Sequence, residues 1–257
     1  MPGPASSSKG GASAQRRFYE DAYAPSPHGE LYARWRTLGA QAKASHVERL
    51  LAEAGLHPET TLDVGCGDGV LLAELAERRI GRSLSGVELS QAAVAIARSR
   101  ELAGIEEIVS FDGSRLPFDD ASFDLAVLSH VLEHVPDPVG LLTESARVAR
   151  AVIVEVPLEA NAAARREAAR GKSTAAGHLR RLDRAEVRRS VEDAALEIAA
   201  ELTDPLTLRV QLFFADTPAA RARALVKAAV RRTVYAVSPR LAERLFTVHY
   251  ACLVLRP

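Results

Sequence analysis

Between residues 61 and 156 short apolar runs alternate with stretches of helical periodicity. Residues 61–64, 84–88, 108–111, 122–128 and 151–156 read as strands, with 122–128 expected to be buried. Helices are predicted over 70–79, after Ser90 as N-cap with Ala93, Val94, Ala97 and Leu102 at helical spacing, and from Pro138 to about residue 150. This alternation predicts βαβ units, hence an α/β, doubly wound, mostly parallel sheet with helices on both faces. Beyond Pro157 the regularity fails. An Ala/Arg-rich helix and loop is expected over 158–177, and Asp183 with Glu186 makes a capping box for a helix to about 195. Residues 196–202 and 206–214 read as strands, 218–235 as a basic amphipathic helix, 239–245 as a short helix and 248–255 as a final strand. Upstream, 16–54 reads as helical in two segments broken near Pro25 and Pro27. Phe18, Tyr19 and Tyr23 cluster before the break, and Leu31, Trp35 and Leu38 follow at helical spacing.

Composition narrows this only a little. A chain of 257 residues with 26% charged positions suits one large domain with a sizeable core. No apolar run reaches the roughly 20 residues that span a bilayer. Residues 1–15 are rich in Ser, Gly, Ala and Pro without an apolar centre, so they read as a disordered leader and not as a secretory signal. Cys66 and Cys252 offer no disulfide framework, which makes a cytoplasmic setting the default. The neutral net charge hides an asymmetry: residues 1–159 hold 15 Lys+Arg against 23 Asp+Glu, and residues 160–257 hold 18 against 10. Arginine outnumbers lysine 29 to 4, which a GC-rich coding sequence explains; a C-terminal part facing an anionic carrier, substrate or membrane surface is the functional alternative.

Candidate chemistry begins at Asp63-Val-Gly-Cys-Gly-Asp-Gly69, a strand ending in a glycine turn that opens a helix. Glycine there permits positive φ and close approach of backbone to a ligand, and the helix start offers unpaired N–H groups. A dinucleotide turn places its third glycine where Val70 stands, so a pyrophosphate ligand is disfavoured. Glu88 ends the next strand about 20 residues on, a separation that suits a carboxylate on ribose hydroxyls. Asp112, then Leu116-Pro-Phe118, Phe123-Asp-Leu-Ala-Val127 and Leu132-Glu-His-Val135 follow in order.

This ordered set resembles the small-molecule branch of class I (Rossmann-like) S-adenosylmethionine-dependent methyltransferases, closely over residues 55–157 and in outline elsewhere. The resemblance implies a seven-stranded sheet with an antiparallel last strand and helical cap elements. It implies a single domain over 16–257: a lid at 16–54, a cofactor-binding core at 55–157, and a C-terminal part with helical insertions at 158–257. It further implies that Asp63, Gly65, Cys66 and Gly67 hold the methionine part of S-adenosylmethionine, Glu88 and Leu89 the ribose, and Asp112 and Gly113 the adenine. Ser129 and His130 would line the sulfonium. Methyl transfer mainly needs alignment, with a base only where the acceptor must lose a proton. His130 and His178 are the candidates for that role or for acceptor contact, and His134 reads as a packing residue.

Tyr19, Tyr23 and Trp35 either pack on the sheet edge or close over the acceptor as a lid. His130-Val-Leu-Glu-His134 matches an inverted zinc-protease signature, but it straddles a strand end and runs into Pro136, so no metal is expected. The expected partner is a small-molecule methyl acceptor. Nucleic acid is disfavoured because no aromatic-interleaved basic stripe is present.

Overall fold

A computed structural model describes residues 20, 23, 27–113, 115–169 and 178–257. Seven strands form one sheet in the order β3-β2-β1-β4-β5-β7-β6. They are β1 (Thr60–Val64), β2 (Ser83–Glu88), β3 (Ile105–Ser110), β4 (Phe123–Ser129), β5 (Ala149–Leu158), β6 (Glu197–Asp204) and β7 (Val248–Leu255). All neighbours pair in parallel except β7, which runs antiparallel to both β5 and β6. The expected α/β architecture with its antiparallel last strand is thus the one observed.

Because side chains alternate across a strand, each central strand feeds two cores. On one face Ala126, Leu128, Val152, Val154, Tyr250 and Cys252 pack with α4 (Pro138–Val148), α6 (Arg184–Asp193) and α9 (Pro239–Leu245). On the other, Leu125, Val127, Ile153, Ala251 and Leu253 pack with α1 (Pro27–Ala54), α2 (Val70–Glu77) and α3 (Gln91–Arg98). Local sequence sets the helix starts. The Ser90 hydroxyl accepts from the Ala93 N–H, and Asp183 and Glu186 form the reciprocal capping box.

The N-terminal region departs from its reading as a lid alone. The second half of α1 is core: Ala40, Ala44, Val47 and Leu50 are each at most 1% exposed. Residues 1–15 lie outside the described residues, as does most of the insertion loop after α5 (Ala162–Ala169).

One strand prediction fails. Residues 206–214 hold the short helix α7 (Leu208–Leu212), capped by the Thr207 hydroxyl, followed by α8 (Pro218–Val237). The apolar run there does not fill a strand position. Phe213 and Phe214 pack on Trp35 with ring centroids 5.3 and 5.0 Å away, so aromatic packing on α1 decides the conformation.

Candidate functional site

The carboxyl ends of β1 to β4 converge on one cavity, as expected where the order of a doubly wound sheet reverses. It is lined by the glycine turn at Gly65, by Glu88 and Leu89 after β2, by Asp112 and Gly113 after β3, and by His130 and His134 after β4. Six of the ten residues assigned to the cofactor from the sequence therefore meet there. A wider cleft between α1 and α2, lined by Gln41, Ser45 and Arg78, lies away from these strand ends and holds none of the motif residues.

The glycine turn is built for close approach. Gly65 and Gly67 have φ of +76° and +56°, in the left-handed region that glycine tolerates. A Cβ on Gly65 would sit 2.8 Å from Val131 Cγ2, and one on Gly67 would sit 2.5 Å from the Tyr23 hydroxyl. Tyr23 thus lies directly over the turn. Its ring is stacked by the Arg36 guanidinium at 4.6 Å, and Arg36 pairs with Asp68 at 2.9 Å. Burial, reinforced by Glu88, holds the phenol above its ordinary pKa. Glu20 accepts from the N–H groups of Gln91 and Ala92 at the start of α3. Trp35 belongs to the Phe213–Phe214 cluster instead, so the expected aromatic lid divides; Tyr19 lies outside the described residues.

Glu88 is 6% exposed, and its carboxylate accepts three backbone bonds: from Gly67 (2.9 Å), Leu89 (2.8 Å) and Ser90 (3.0 Å). Burial raises its pKa, opposed by those N–H donors. A carboxylate offers about four acceptor positions, so one remains for a ligand. Asp63 is 1% exposed and its Oδ2 has no hydrogen-bond partner. Burial pushes its carboxyl up to about 7, with Lys43 opposing and Glu88 adding to the rise. Asp112 is exposed at the cavity rim and accepts a long 3.4 Å bond from the Arg115 N–H. Cys66 packs its side chain against Gly86 in the core, which leaves only its backbone for a ligand. Ser129 ends β4 opposite Glu155, and its buried hydroxyl has no partner.

His130 follows β4 with φ of +60°, a conformation that costs a non-glycine residue free energy and clusters at functional sites. Its N–H bonds to the Glu155 carbonyl at 2.8 Å. Nδ1 lies 3.5 Å from Glu133 Oε1 and Nε2 lies 3.7 Å from Glu155 Oε1. Burial, then the Lys43 charge, pulls the imidazole well below its usual pKa, so it is neutral near pH 7. Glu133 is 1% exposed with neither carboxylate oxygen hydrogen-bonded, and burial raises it to about 7. His178 stacks edge-on against His134 (4.7 Å) and bonds Glu159 at 2.7 Å, which places it beside the cavity wall. The segment 130–134 forms a 3₁₀ turn over Leu132–His134 and not the long helix that a zinc-protease signature requires.

Several charged groups escaped the sequence reading. His46 on α1, Glu155 on β5 and His249 on β7 meet under the sheet, with Asp204 behind His46. The signal was a lone glutamate within the apolar run Ala151-Val-Ile-Val-Glu-Val156. A charge in a strand buried on both faces needs partners.

Residues 62–151 match the family model described as "Methyltransferase domain". The chain is 32% identical over 133 residues to the ubiquinone biosynthesis O-methyltransferase of Hahella chejuensis, covering 47% of this chain and 54% of that one. The chain spans about half the length of the curated relatives it matches. Among solved structures, the geranyl diphosphate C-methyltransferase of Streptomyces coelicolor A3(2) superposes with a TM-score of 0.63 at 16% identity, covering all of both chains. The [4+2]-cyclase SpnF superposes with a TM-score of 0.58 at 22% identity, over 84% of this chain and 82% of that one. At such identities the structural likeness concerns the fold.

Proposed function

We propose that the chain, whose residues 62–151 are a class I S-adenosylmethionine-dependent methyltransferase domain, transfers a methyl group to an oxygen or nitrogen of a small molecule. The carrying observation is that the buried carboxylate of Glu88 at the end of β2 and the exposed one of Asp112 after β3 line the same cavity as Gly65 and His130, with the buried Asp63 two residues before Gly65. The donor set fits the cofactor. Asp63, with its orphaned Oδ2, would accept from the amine; Glu88, with one acceptor position left, from the ribose hydroxyls; and Asp112, at the rim, from the adenine amino group.

The bound cofactor would supply an electrophilic methyl on positive sulfur. Everything else falls to the chain. Glu88 is held in place by three N–H groups before any ligand arrives, so little ordering cost remains for binding. Tyr23, clamped by Arg36, covers Gly67 and would contact the methionine part, making this side chain a cover over the turn. His130 and His178 stand where an acceptor would enter beside the cavity and are the side chains positioned to meet its proton.

The O-methyltransferase relative supports an oxygen acceptor, and we extend the proposal to bacterial secondary or cell-envelope metabolism in a cytoplasmic setting. Among the described residues no helix is long and apolar enough to cross a membrane. A second reading, a carrier-tethered or lipid-linked acceptor, is favoured by α8. That helix exposes Val226 at 65%, one turn from Arg223, and Val237 at 80% at its C-terminal end. Salt-sensitive binding to anionic vesicles or acyl carrier protein would separate it from the first.

Calorimetric titration with S-adenosylmethionine and S-adenosylhomocysteine tests the main reading. Micromolar binding of both, followed by methyl transfer to a screened acceptor, is expected. No binding to the folded chain overturns it. Binding without transfer to any acceptor would make the chain a binding protein of the same fold.

A further inference from the structure

A second polar centre lies under α1, and its chemistry differs from that of the cofactor cavity. Strand parity puts Glu155 and His249 on the same sheet face, because Pro157 pairs with His249 and Glu155 with Ala251 across the antiparallel β5–β7 ladder. Helix α1 lays His46 onto that face. His249 Nδ1 is 2.9 Å from Glu155 Oε1, His46 Nδ1 is 3.3 Å from Oε2, and His130 Nε2 is 3.7 Å from Oε1. The potential donor atoms of His46, Glu155 and His249 all lie within 4.8 Å of one another.

The facing atoms of these groups are buried yet poorly bonded. Glu155 is 1% and His46 4% exposed, but Glu155 Oε1, His46 Nδ1, His249 Nδ1 and His130 Nε2 have no aligned hydrogen-bond partner. Buried polar atoms are nearly always satisfied, so four converging orphans call for something between them. We propose that His46, Glu155 and His249 bind one divalent d-block cation, with zinc as the reference ion and His130 as a further donor on the cavity side.

Three features support a cation of this class. Two imidazoles and one carboxylate match borderline d-block ions, whereas magnesium and calcium take oxygen ligands. Zinc bonds of about 2.0–2.2 Å set donor atoms about 3.3–3.5 Å apart; His249 lies 2.9 Å from one Glu155 oxygen and His46 3.3 Å from the other, and one donor atom from each residue falls within 4.8 Å of the rest, so a small side-chain adjustment brings three donors to that spacing. Third, His46 Nε2 faces Asp204 Oδ2 at 3.3 Å. A carboxylate behind a ligating histidine is the usual device for fixing its tautomer and ring orientation. The competing account is a bare charge cluster in which imidazolium neutralises Glu155. The inference does not depend on methyl transfer, and it reverses the expectation of no metal drawn from the sequence.

The test is binding of zinc to chelator-treated protein. A second group, Glu133, His134 and His178, has donor atoms equally close together and serves as the internal comparison. Competitive titration of the wild type should give a zinc affinity tighter than about 1 μM, within the range of protein sites. His178→Asn should retain that equivalent, and X-ray absorption of the loaded variant should count at least two imidazole donors. His249→Asn should lose one equivalent, and Asp204→Asn should weaken binding by about 10- to 100-fold. Three outcomes each overturn the proposal: a folded wild type that binds neither zinc nor cobalt tightly, tight binding lost in His178→Asn, or fewer than two imidazoles in that variant. The His178→Asn spectrum decides the matter even if His249→Asn fails to fold.

Discussion

Removing the Glu88 carboxylate should damage the fold and the proposed cofactor site together, by amounts the geometry allows to be estimated. In Glu88→Ala the N–H groups of Gly67, Leu89 and Ser90 lose an acceptor at 2.8–3.0 Å. Hydrogen bonds to a charged group contribute about 1.5–3 kcal/mol each, and a buried donor left unpaired costs about 1–3 kcal/mol. The gross loss is offset in part, because burial already disfavours this carboxylate and raises its pKa. The expected net destabilisation is about 2–4 kcal/mol, the upper range for single substitutions. It should be read as a lower urea midpoint with unchanged slope. In the fraction still folded at low temperature, S-adenosylmethionine should bind about 10- to 150-fold more weakly, corresponding to about 1.5–3 kcal/mol. Glu88→Gln keeps the volume and can keep its amide oxygen on the Leu89 and Ser90 N–H groups while turning its NH₂ toward the Gly67 N–H, so it should recover part of the stability but little of the affinity. An unchanged urea midpoint would show that the three amides find other acceptors. Unchanged affinity in the folded variant would remove Glu88 from the cofactor site, and with it most of the case for that site.

Three further outcomes follow from the same geometry. Asp63 has a folded pKa of about 7 against its ordinary 3.8; the folded state binds the extra proton between those values, so stability should fall as pH rises from about 4 to about 7 and level off above. A cationic amine favours the ionised form, so S-adenosylmethionine affinity should weaken as pH drops below about 7, and Asp63→Asn should flatten both profiles. Gly67→Ala places a methyl 2.5 Å from the Tyr23 hydroxyl at φ of +56° and should cost about 1–2 kcal/mol for the left-handed backbone alone. Adding Tyr23→Ala should recover the steric part of the loss but not the backbone part, as a double-mutant cycle will read; full additivity would mean that Tyr23 does not cover the turn. His130→Asn, a residue that tolerates positive φ, should leave S-adenosylmethionine affinity within about twofold while lowering turnover; equal turnover would remove His130 from the acceptor's environment.

What the sequence revealed and what it hid divide along physical lines. Strand ends, the glycine turn and Ser90 as N-cap were legible because each is set by residues close in the chain: alternation, a φ requirement, a hydroxyl three residues from an N–H. Residues 206–214 were misread because the rings of Phe213 and Phe214 pack on Trp35, far earlier in the chain, and a one-dimensional pattern carries no such partner. The same holds for Cys66, whose place inside the motif suggested a ligand contact while its side chain packs on Gly86 of β2. His46, Asp204 and His249 were invisible one by one. Each is an ordinary residue in its own helix or strand until the β5–β7–β6 ladder and α1 bring them together.

Strand parity ties these buried charges to one side of the sheet. Asp63 lies between Leu62 and Val64, which pack on the α4 face, so Asp63 must point to the α1 face, where Lys43 influences its carboxyl. Glu155 and His249 share that face by register, and His46 reaches them from α1. The α4 face, by contrast, is continuously apolar through Val152, Val154 and Val156. Helix α1 is therefore more than a cover. Its first half carries Arg36, which clamps Tyr23 over the glycine turn. Its second half closes the core and supplies His46 to the polar centre beneath. Any movement of α1 that admitted a ligand at Gly67 would also shift His46 against Glu155.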